Sequence, residues 1–428
     1  MTILGSLYSG VSGLSVNGNA LSIIGDNIAN VNTIGYKTSR ASFSDVIAAS
    51  LSGVSNSQVG QGTRLTSIDV QFTQGSFLNT TSPTDLSIDG KGFFVMRDDN
   101  GISYSRAGNF KFDKDGFLVN PNGIVVQGYS VDSNGNVTGS LGDINITGVS
   151  SAPNATSTVE LDANLDSRST TVGAAFDVTD PITTSNFSTA ITVYDSLGNG
   201  HQVNAYFRKD AANTWSWYAV VGANDNANGT GDEIQAQGTM NFTTSGLLDS
   251  VSAVTYPTGG FDFTGGAVQD QIIDFDFGTP VTIGGSGGDG VTQYGLDSSA
   301  TYQNQDGYAS GDLRNYSVSN DGVITGNFSN GRTVAIAQLA LATFQSNEGL
   351  TRIGGNLFLE SSRSGQPIIG QPSSGGRGKI SSNSLEQSTV DLAQEFVNMI
   401  TSQRGFQANS RTITTTDELL QELINLKR

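Results

Sequence analysis

The chain has 428 residues, no cysteine, one histidine and a formal net charge of −18. A chain of this length can form two or three domains that each bury a core. The lack of cysteine excludes disulfides and thiolate metal sites, and a single imidazole, that of His201, excludes most histidine-based catalysis. The negative charge argues against nucleic acid as a partner, because the phosphate backbone attracts basic proteins.

The first predicted element is an N-terminal helix with one apolar stripe. Residues 1–30 contain a single charged side chain, Asp26. Steps of three and four place successive residues on one helix face, which is the heptad spacing of a coiled coil. Because each glycine costs about 0.8–1 kcal/mol in a helix interior, we expect this helix to depend on tertiary packing. The positions on this face, called the N-terminal seam below, are Leu4, Leu7, Val11, Leu14, Gly18, Leu21, Gly25 and Ile28.

A short motif follows this helix and is predicted to end it, because Asn, Thr and Gly are residues that stop helices. It has the order Ala-Asn-x-x-Thr-x-Gly-aromatic-basic. The string resembles the N-terminal signature of the bacterial flagellar rod and hook axial proteins, and every specified position matches. The residues that carry the resemblance are Ala29, Asn30, Thr33, Gly35, Tyr36 and Lys37.

Residues 31–70 are predicted to form an extended linker, and short strands follow it. Between Leu86 and Gln127, apolar runs alternate with Asp-Asn-Gly, Lys-Asp-Gly and Pro-Asn-Gly turns, which predicts an antiparallel meander. Its predicted strands are Gly92–Met96, Tyr104–Phe112, Gly116–Val119 and Gly123–Gln127. We assign residues 71–145 to the first half of an inner β domain. The strings 89–94 and 106–110 are also similar to the axial protein family.

Residues 146–300 are predicted to form a separate acidic β domain. They contain 17 acidic and 3 basic side chains. Ala190–Asp195, His201–Lys209 and Trp215–Val221 have strand patterns, and the loops between strands are rich in Gly and Asn. We expect this domain to lie on the outside, where its charge keeps contacts between copies weak.

Two features of this acidic region could carry chemistry. Residues 285–290 fit a GxGxxG pattern after a predicted strand, Val281–Ile283, but no helix pattern follows to hold a pyrophosphate. A loop is therefore favoured, and a single calcium-type nonapeptide from Gly284 leaves ion binding by residues 284–290 open. Trp215 and Trp217 share one face of a strand, where core packing is favoured over a sugar-binding platform.

The other candidate sites are weaker still. Asp113–Gly116 and Asp132–Asn136 have the composition of calcium loops without the twelve-residue spacing and closing glutamate, so both are predicted to be hairpin turns. The 17 acids leave a glycosidase-type carboxylate pair open, but no specific pair stands out. We predict no catalytic residue, cofactor or metal.

Strand patterns return at Tyr302–Ser310, Gly322–Phe328 and Thr333–Phe344, and we assign residues 301–384 to the second half of the inner β domain. Residues 385–428 are predicted to contain a second long helix with its own apolar stripe. The two stripes are predicted partners, so residues 1–30 and 385–428 form one terminal helical domain. The C-terminal seam consists of Leu392, Phe396, Met399, Gln403, Phe406, Ser410, Ile413, Asp417, Leu420 and Ile424.

The C-terminal stretch resembles the closing signature of the same axial family, in Leu385-Glu386, Val390–Leu392, Met399-Ile400 and Asp417–Gln421. Within it, Gly405–Ser410 is similar to hook-type members. Ser388-Thr389 stands where many members have Ser-Asn, a minor departure.

The resemblance implies a structural protein without enzymatic activity, whose copies self-assemble into a tube. Such a tube is the flexible joint that transmits torque from the flagellar rod to the filament. The implied fold is mainly β with coiled-coil-like terminal helices, in a nested multidomain architecture with a split antiparallel inner domain and an all-β acidic outer domain. A distal rod protein, or a secreted β-rich carbohydrate-binding protein or hydrolase, is the alternative.

The resemblance also implies partners and a location. The partners are other copies of the chain, the rod, the hook cap, the hook–filament junction proteins and the type III export apparatus. Export to the outside of the cell would proceed without cleavage of a signal peptide. No run of apolar residues has the roughly 18-residue length of a membrane span, so membrane insertion is not expected.

Overall fold

The computed structural model describes residues 3–47, 60–132, 136–229 and 231–425. One long helix lies near each end of the described chain, and nearly all regular structure between them is β. This confirms the predicted fold class, a multidomain, mainly β protein with terminal helices. Residues 48–59 of the predicted linker, and residues 133–135 of the predicted Asp132–Asn136 turn, lie outside the described residues.

The helices are α1 (Ile3–Ala29) and α2 (Leu392–Asn425), and 3₁₀ turns occur at Val281–Ile283 and Asn347–Gly349. The first strands, in chain order, are β1 (Ser39–Ile47), β2 (Gly60–Val70), β3 (Phe77–Asn79), β4 (Leu86–Asp89), β5 (Phe93–Asp98), β6 (Gly101–Ser105), β7 (Lys111–Phe112), β8 (Leu118–Val119), β9 (Val125–Val131), β10 (Val137–Asp143), β11 (Ser150–Ser151), β12 (Thr158–Asn164), β13 (Phe187–Tyr194) and β14 (Gly200–Ala211). The later strands are β15 (Thr214–Val221), β16 (Glu233–Phe242), β17 (Leu248–Val251), β18 (Asp274–Asp276), β19 (Ser299–Gln305), β20 (Gly311–Val318), β21 (Val323–Phe328), β22 (Thr333–Leu339), β23 (Leu341–Thr343), β24 (Thr351–Gly354), β25 (Leu357–Leu359), β26 (Ile368–Gly370), β27 (Lys379–Ser382) and β28 (Ser384–Glu386).

The chain divides into two compact units. The first unit comprises residues 1–149, 315–326 and 333–428, and the second comprises residues 150–314 and 327–332. The first unit therefore contains both terminal helices.

Strand β5 is buried on both faces in the first unit. It is hydrogen-bonded to β6, β9 and β23. Phe94 and Met96 pack into one apolar cluster, whereas Phe93 and Val95 pack into another. A strand covered on both sides needs an uninterrupted apolar run, and residues 93–96 supply it.

Strands β1 and β2 form an antiparallel ladder, in which Ser39 lies opposite Val70. The ladder is in contact with α1, where the backbone N–H of Thr63 donates to Ser12 Oγ at 3.2 Å. Within the segment expected to be an extended linker, β1 and β2 are therefore strands, and their ladder also supports one side of α1.

The second unit contains a five-stranded antiparallel sheet, β13–β17, with neighbours in sequence order. A three-stranded sheet has β12 between β18 and β19. The core of this unit is rich in aromatic rings: the centroid of Trp217 lies 4.9 Å from that of Phe275 and 5.0 Å from that of Phe277. The hairpin strands predicted from the sequence in this unit are confirmed as β13, β14 and β15.

Two predicted strands differ from the structure. The strand expected over Tyr104–Phe112 is interrupted, since Tyr104 and Ser105 lie in β6 and Lys111 and Phe112 form β7. Between them the chain is bonded to the segment of β4: the N–H of Leu86 donates to the carbonyl oxygen of Gly108 at 2.9 Å, and the Arg106 side chain donates to the carbonyl oxygens of Ile88 (3.2 Å) and Gly90 (2.7 Å). The strand expected over Val281–Ile283 is a 3₁₀ turn, which ends where Gly284 takes a left-handed backbone conformation with φ of 90°.

Candidate assembly site

The two terminal helices pack against each other in antiparallel directions. A Cβ built on Gly10 would lie 3.0 Å from Cγ1 of Ile413 on α2. At the other end of the contact, Asn27 Nδ2 donates to Glu395 Oε1 at 3.2 Å. The pairing of the terminal helices was predicted, and it depends on small and polar residues that let the two backbones approach closely.

Both helix boundaries have local causes. At the start of α2, Asp391 Oδ1 accepts hydrogen bonds from the backbone N–H groups of Ala393 (2.9 Å) and Gln394 (3.2 Å), as an N-cap residue does. At the end of α1, Asn30 Nδ2 donates to the carbonyl oxygen of Asp26 at 2.8 Å. This bond satisfies one of the carbonyls that a helix end leaves free.

Most of the N-terminal seam lies away from this contact. Val11 is 51% exposed, and the other large seam residues are half-buried, namely Leu7, Leu14, Leu21 and Ile28. Leu4 lies in α1, but its side chain is outside the described residues. The buried side of α1 instead carries Val16, Ile24 and Asn27. The helix was therefore predicted correctly from the sequence, but the face that contacts α2 is not the predicted N-terminal seam.

The C-terminal seam is even more exposed. Ile413 contacts α1 and is half-buried, as are Met399 and Leu420. The remaining large apolar side chains of the seam are exposed by between 39% and 69%, namely Leu392, Phe396, Phe406 and Ile424. Val397, Ile400 and Leu419, which lie off the seam on α2, are also exposed. The exposed seam residues form an apolar stripe along α2, and exposed apolar surface of this kind is typical of an interaction site.

A groove of about 490 Å³ lies beside the helix pair. Its walls come from α1, α2 and β1, and they include Ile24, Phe43, Gln394 and Ser402. The groove and the exposed seams together give this part of the first unit a surface that can accept another helix or loop.

The signature motif 29–37 forms the joint at the base of α1. Thr33 Oγ1 donates to Asn30 Oδ1 at 3.1 Å, and the backbone N–H of Gly35 donates to the carbonyl oxygen of Glu386 at 2.8 Å. Gly35 has φ of 69°, and a Cβ there would lie 2.7 Å from the backbone nitrogen of Ala107. Glycine is required at this position because the backbone of another segment passes too close for a side chain. Ala29 is exposed at the end of α1.

Lys37 and Glu386 form a fully buried ion pair in this joint, with 2.7 Å between Nζ and Oε1. Lys37 Nζ also donates to the carbonyl oxygen of Thr73, and Glu386 Oε1 accepts from the backbone N–H of Gly75 at 2.8 Å. The guanidinium of Arg106 lies 3.8 Å from Glu386 Oε2. The pair connects residues 349 positions apart in sequence, so it ties the N-terminal segment to the C-terminal one.

Burial governs the electrostatics of the joint. Desolvation lowers the pKa of Lys37, and the negative charge of Glu386 opposes part of that effect. Desolvation lowers the pKa of Arg106 in the same way. A buried ion pair is destabilising to break, because removal of one partner leaves an uncompensated charge out of water.

Tyr36 extends the joint back to α1. Its hydroxyl donates to Asp26 Oδ2 at 3.1 Å, and its ring is covered by the guanidinium of Arg352, 5.0 Å from the ring centroid. Burial raises the pKa of Tyr36. Asn27 completes the network, since its Nδ2 donates to the carbonyl oxygen of Ser39 at 2.8 Å. The signature residues thus fix the direction in which α1 leaves the β structure.

Sequence reasoning missed several residues of this site. It quoted Glu386 only as a part of a family-like string, and it gave no role to Arg106, Asn27 or Glu395. One signal was available for Glu386: it is an acidic residue at the end of a predicted β region that precedes an apolar seam. Partners so distant in sequence leave no local spacing pattern, so their pairing could not be read from it.

The other sequence candidates are structural. Trp215 and Trp217 are fully buried, and Trp215 Nε1 donates to Gln293 Oε1 at 2.7 Å, which excludes an exposed platform and confirms core packing. Residues 284–290 form a loop that is bonded to the segment before it, since the N–H of Gly287 donates to the carbonyl oxygen of Thr279 at 3.1 Å. In Asp113–Gly116, Asp113 Oδ1 accepts from the N–H of Asp115 at 3.0 Å, which is a turn contact.

His201 is buried in the second unit between two carboxylates. Its Nε2 lies 3.1 Å from Asp195 Oδ2, its Nδ1 lies 3.3 Å from Asp225 Oδ1, and its ring stacks on Phe263. Burial acts to raise the pKa of Asp195, but hydrogen bonds from Asn199 and His201 outweigh it and lower that pKa. These contacts join β14 to the loops that follow β13 and β15.

Neither long helix in the described part of the chain has the length and apolarity that crossing a membrane requires. Among the described residues, no three His, Cys, Asp or Glu side chains are grouped so that they could hold a metal ion.

Comparisons with known proteins match four stretches of the chain to family models. Residues 7–37 match the flagella basal body rod protein family, and residues 87–173 match the flagellar hook protein FlgE/F/G D1 domain. Residues 164–308 match the flagellar basal body protein FlaE D2 domain, and residues 381–426 match the C-terminal family of the flagellar basal body rod FlgEFG proteins.

Similar proteins match over nearly the full length. The flagellar hook protein FlgE of Borreliella burgdorferi is 37% identical over 452 residues, which cover 99% of each chain. That of Salmonella typhimurium is 35% identical over 431 residues, covering 99% of this chain and 100% of the relative. The crystal structure of the Helicobacter pylori flagellar hook protein FlgE2 superimposes with a TM-score of 0.46 at 16% identity, covering 72% of this chain and 100% of that one.

Proposed function

Because the chain belongs to the flagellar hook protein family, we propose that it is the structural subunit that self-assembles into the tubular hook, the flexible joint that transmits torque from rod to filament. The protein acts by assembly and has no catalytic role. Its assembly site is the apolar surface of the terminal helix pair.

One observation carries this proposal: α1 and α2 contact each other largely through small or polar positions such as Gly13 and Asn409, while large apolar side chains such as Phe396 remain exposed. Burial of one such side chain contributes about 1.5–3 kcal/mol. Neighbouring copies that cover both seams therefore supply the burial that a single chain lacks. The seam residues are the proposed self-assembly residues in both helices.

The proposed domains separate the assembly surface from the β structure between the helices. Residues 1–30 and 385–428 form the terminal helical assembly domain, residues 71–145 and 301–384 form the split inner β domain, and residues 146–300 form the acidic outer domain. Residues 31–70 connect the first two. The net negative charge of the outer domain keeps its contacts weak enough to slide when the tube bends.

The proposed partners are further copies of the chain, the rod, the hook cap, the hook–filament junction proteins and the type III export apparatus. The proposed location is the hook of the flagellum, outside the cell, after export without cleavage of a signal peptide. Family membership supports both proposals.

The function is tested with full-length variants whose changes lie on the exposed seam. Phe396→Ser and Phe406→Ser remove apolar area that is about half exposed in the single chain. We expect the double variant to keep the far-ultraviolet circular dichroism of the parent and to form no tubes in electron micrographs under polymerising conditions. Gln407→Ser changes an exposed residue of α2 beside the seam and is the matched control. Normal tubes from the double variant would contradict the proposed assembly site.

A further inference from the structure

Two asparagines and two glycines form a reciprocal contact at the centre of the helix pair. The amide of Asn409 on α2 lies against Gly13 of α1, where a Cβ would be 2.6 Å from its Cγ. The amide of Asn17 on α1 lies against Gly405 of α2, where a Cβ would be 2.7 Å from its Oδ1. We call Gly13, Asn17, Gly405 and Asn409 the Gly-Asn clasp.

Each asparagine of the clasp is also bound to its own helix. Asn17 Nδ2 donates to the carbonyl oxygen of Gly13 at 2.7 Å, and Asn409 Nδ2 donates to that of Gly405 at 2.9 Å. Both bonds span four residues and hold the amide along the helix surface. The two helices therefore present the same Gly-x-x-x-Asn unit to each other in opposite directions.

This geometry fits only one alignment of the helices. The glycine of each helix leaves the space that the asparagine amide of the other helix occupies. A slide of one helical turn in one direction would place Asn409 opposite Asn17, which has a side chain of its own. A slide in the other direction would place Asn409 opposite Gly10 but Asn17 opposite Ser402, so neither slide keeps both amides against glycine. Buried polar residues in coiled coils specify register in a comparable way, at some expense in stability.

We propose that Asn17 and Asn409 are positioning residues that fix the register of α1 against α2. The register sets the relative positions of the exposed apolar side chains on the two helices, such as Val11 and Phe406, so it sets the shape of the surface offered to other copies. Its relevance to assembly rests on the proposed function, whereas the register itself is a property of the single chain.

The absence of cysteine allows the register to be measured by disulfide trapping in the full-length chain. The pair Gly10→Cys and Ile413→Cys reports the observed register, because these positions are in contact. The pair Gly10→Cys and Asp417→Cys reports a slide of one turn. Each cysteine pair is made in three backgrounds. The first keeps the clasp intact, and the second carries Asn17→Leu and Asn409→Leu. The third carries Asn19→Leu and is the control, because Asn19 is an exposed residue of α1 outside the clasp.

With the clasp intact, we expect the first pair to form disulfides about tenfold more than the second, a ratio that corresponds to 1.4 kcal/mol. The double leucine variant should reduce this ratio to near one, and Asn19→Leu should leave it unchanged. An unchanged ratio in the double leucine variant would overturn the proposal and would assign the register to another contact, such as that between Asn27 and Glu395.

Two further measurements keep the test decisive. If the double leucine variant loses helical ellipticity, the single variant Asn409→Leu carries the test, because it leaves Asn17 against Gly405. Tube formation is scored separately in electron micrographs. Failure of the seam variants to block assembly would count against the proposed function, while the disulfide ratio would still decide whether the clasp sets the register.

Discussion

The second unit and the terminal helix pair bury their apolar residues in opposite ways. In the second unit, Trp215 and Trp217 are fully buried within one chain. In the helix pair, the line of contact is occupied by glycine and asparagine, and Phe396 is half exposed. One part of the molecule therefore buries its large apolar side chains within a single chain, whereas the other part leaves them exposed, and under the proposed function further copies cover them.

The contact between Lys37 and Glu386 at the base of α1 shares one feature with the second unit and one with the helix pair. It is fully buried, as in the second unit, but it consists of charges and amides rather than aromatic rings. A buried ionic contact adds little net stability compared with an apolar one, yet it tolerates only one geometry. Such a contact suits a place where the direction of a helix has to be fixed.

The largest expected effect comes from opening the complete core. Trp217→Ala removes a ring packed on Phe275 and Phe277 and should lower the free energy of unfolding of the second unit by about 3–5 kcal/mol. Urea unfolding followed by fluorescence measures this, because the remaining tryptophan, Trp215, lies in the same core. The control is Ile182→Ala, at a residue that is 79% exposed, which should change the free energy of unfolding by less than about 0.5 kcal/mol. Equal effects of the two substitutions would mean that the buried tryptophans do not form a complete core in the second unit.

A comparable loss is expected at the joint. Glu386→Ala leaves Lys37 buried without its counter-charge and the N–H of Gly75 without an acceptor, so it should lower the free energy of unfolding of the first unit by about 3–5 kcal/mol. Thermal unfolding measures the change. The matched control is Asp89→Ala, which breaks an exposed pair with Lys379 and should cost at most about 1 kcal/mol. A tolerated Glu386→Ala would mean that solvent reaches the joint.

A smaller effect is expected at alkaline pH in the aromatic cluster beside β5. Burial, followed by the charge of Glu360, raises the pKa of Tyr104 to about 12. Because the folded state disfavours the phenolate, this stability is fully present below pH 10 and is lost as the pH rises toward 12. The shift corresponds to at most about 2.7 kcal/mol, and solvent screening reduces it to about 1–2 kcal/mol. Tyr104→Phe should flatten the dependence of the unfolding free energy on pH in this range, and an unaltered slope would contradict the assignment.

The sequence was sufficient for elements whose cause is local. Heptad spacing predicted both helices, and strand patterns separated by loops rich in Gly and Asn predicted β13, β14 and β15. It was insufficient where a distant partner decides the outcome. Residues 106–110 interrupt a predicted strand, and the Arg106 side chain there donates to the carbonyl oxygens of Ile88 and Gly90, partners that no periodicity encodes.

In the candidate assembly site, too, contacts between residues distant in sequence could not be predicted. The apolar seams were found because Leu, Phe and Ile dominate hydrophobic patterns, but the intramolecular contact uses Gly13 and Asn409, which carry no weight in such patterns. A search for Gly-x-x-x-Asn repeated in both helices would have found the clasp. The exposed state of the seams, in contrast, depends on how one helix is rotated against the other, which only the structure provides.

The smallest effect separates the two kinds of glycine in α1. An Ala at Gly18 meets no atom within 4 Å in the single chain and should stabilise the helix by about 0.8–1 kcal/mol. An Ala at Gly13 gains the same propensity but displaces the amide of Asn409 from its bond to Gly405, a loss of about 0.5–1.5 kcal/mol. Gly13→Ala should therefore be neutral or destabilising, as measured by thermal loss of helical ellipticity in the unassembled chain, with Gly25→Ala as a second open position. If Gly13→Ala were as stabilising as Gly18→Ala, the amide of Asn409 would not be held against α1, and the face between the helices would be no more filled than the open face at Gly18.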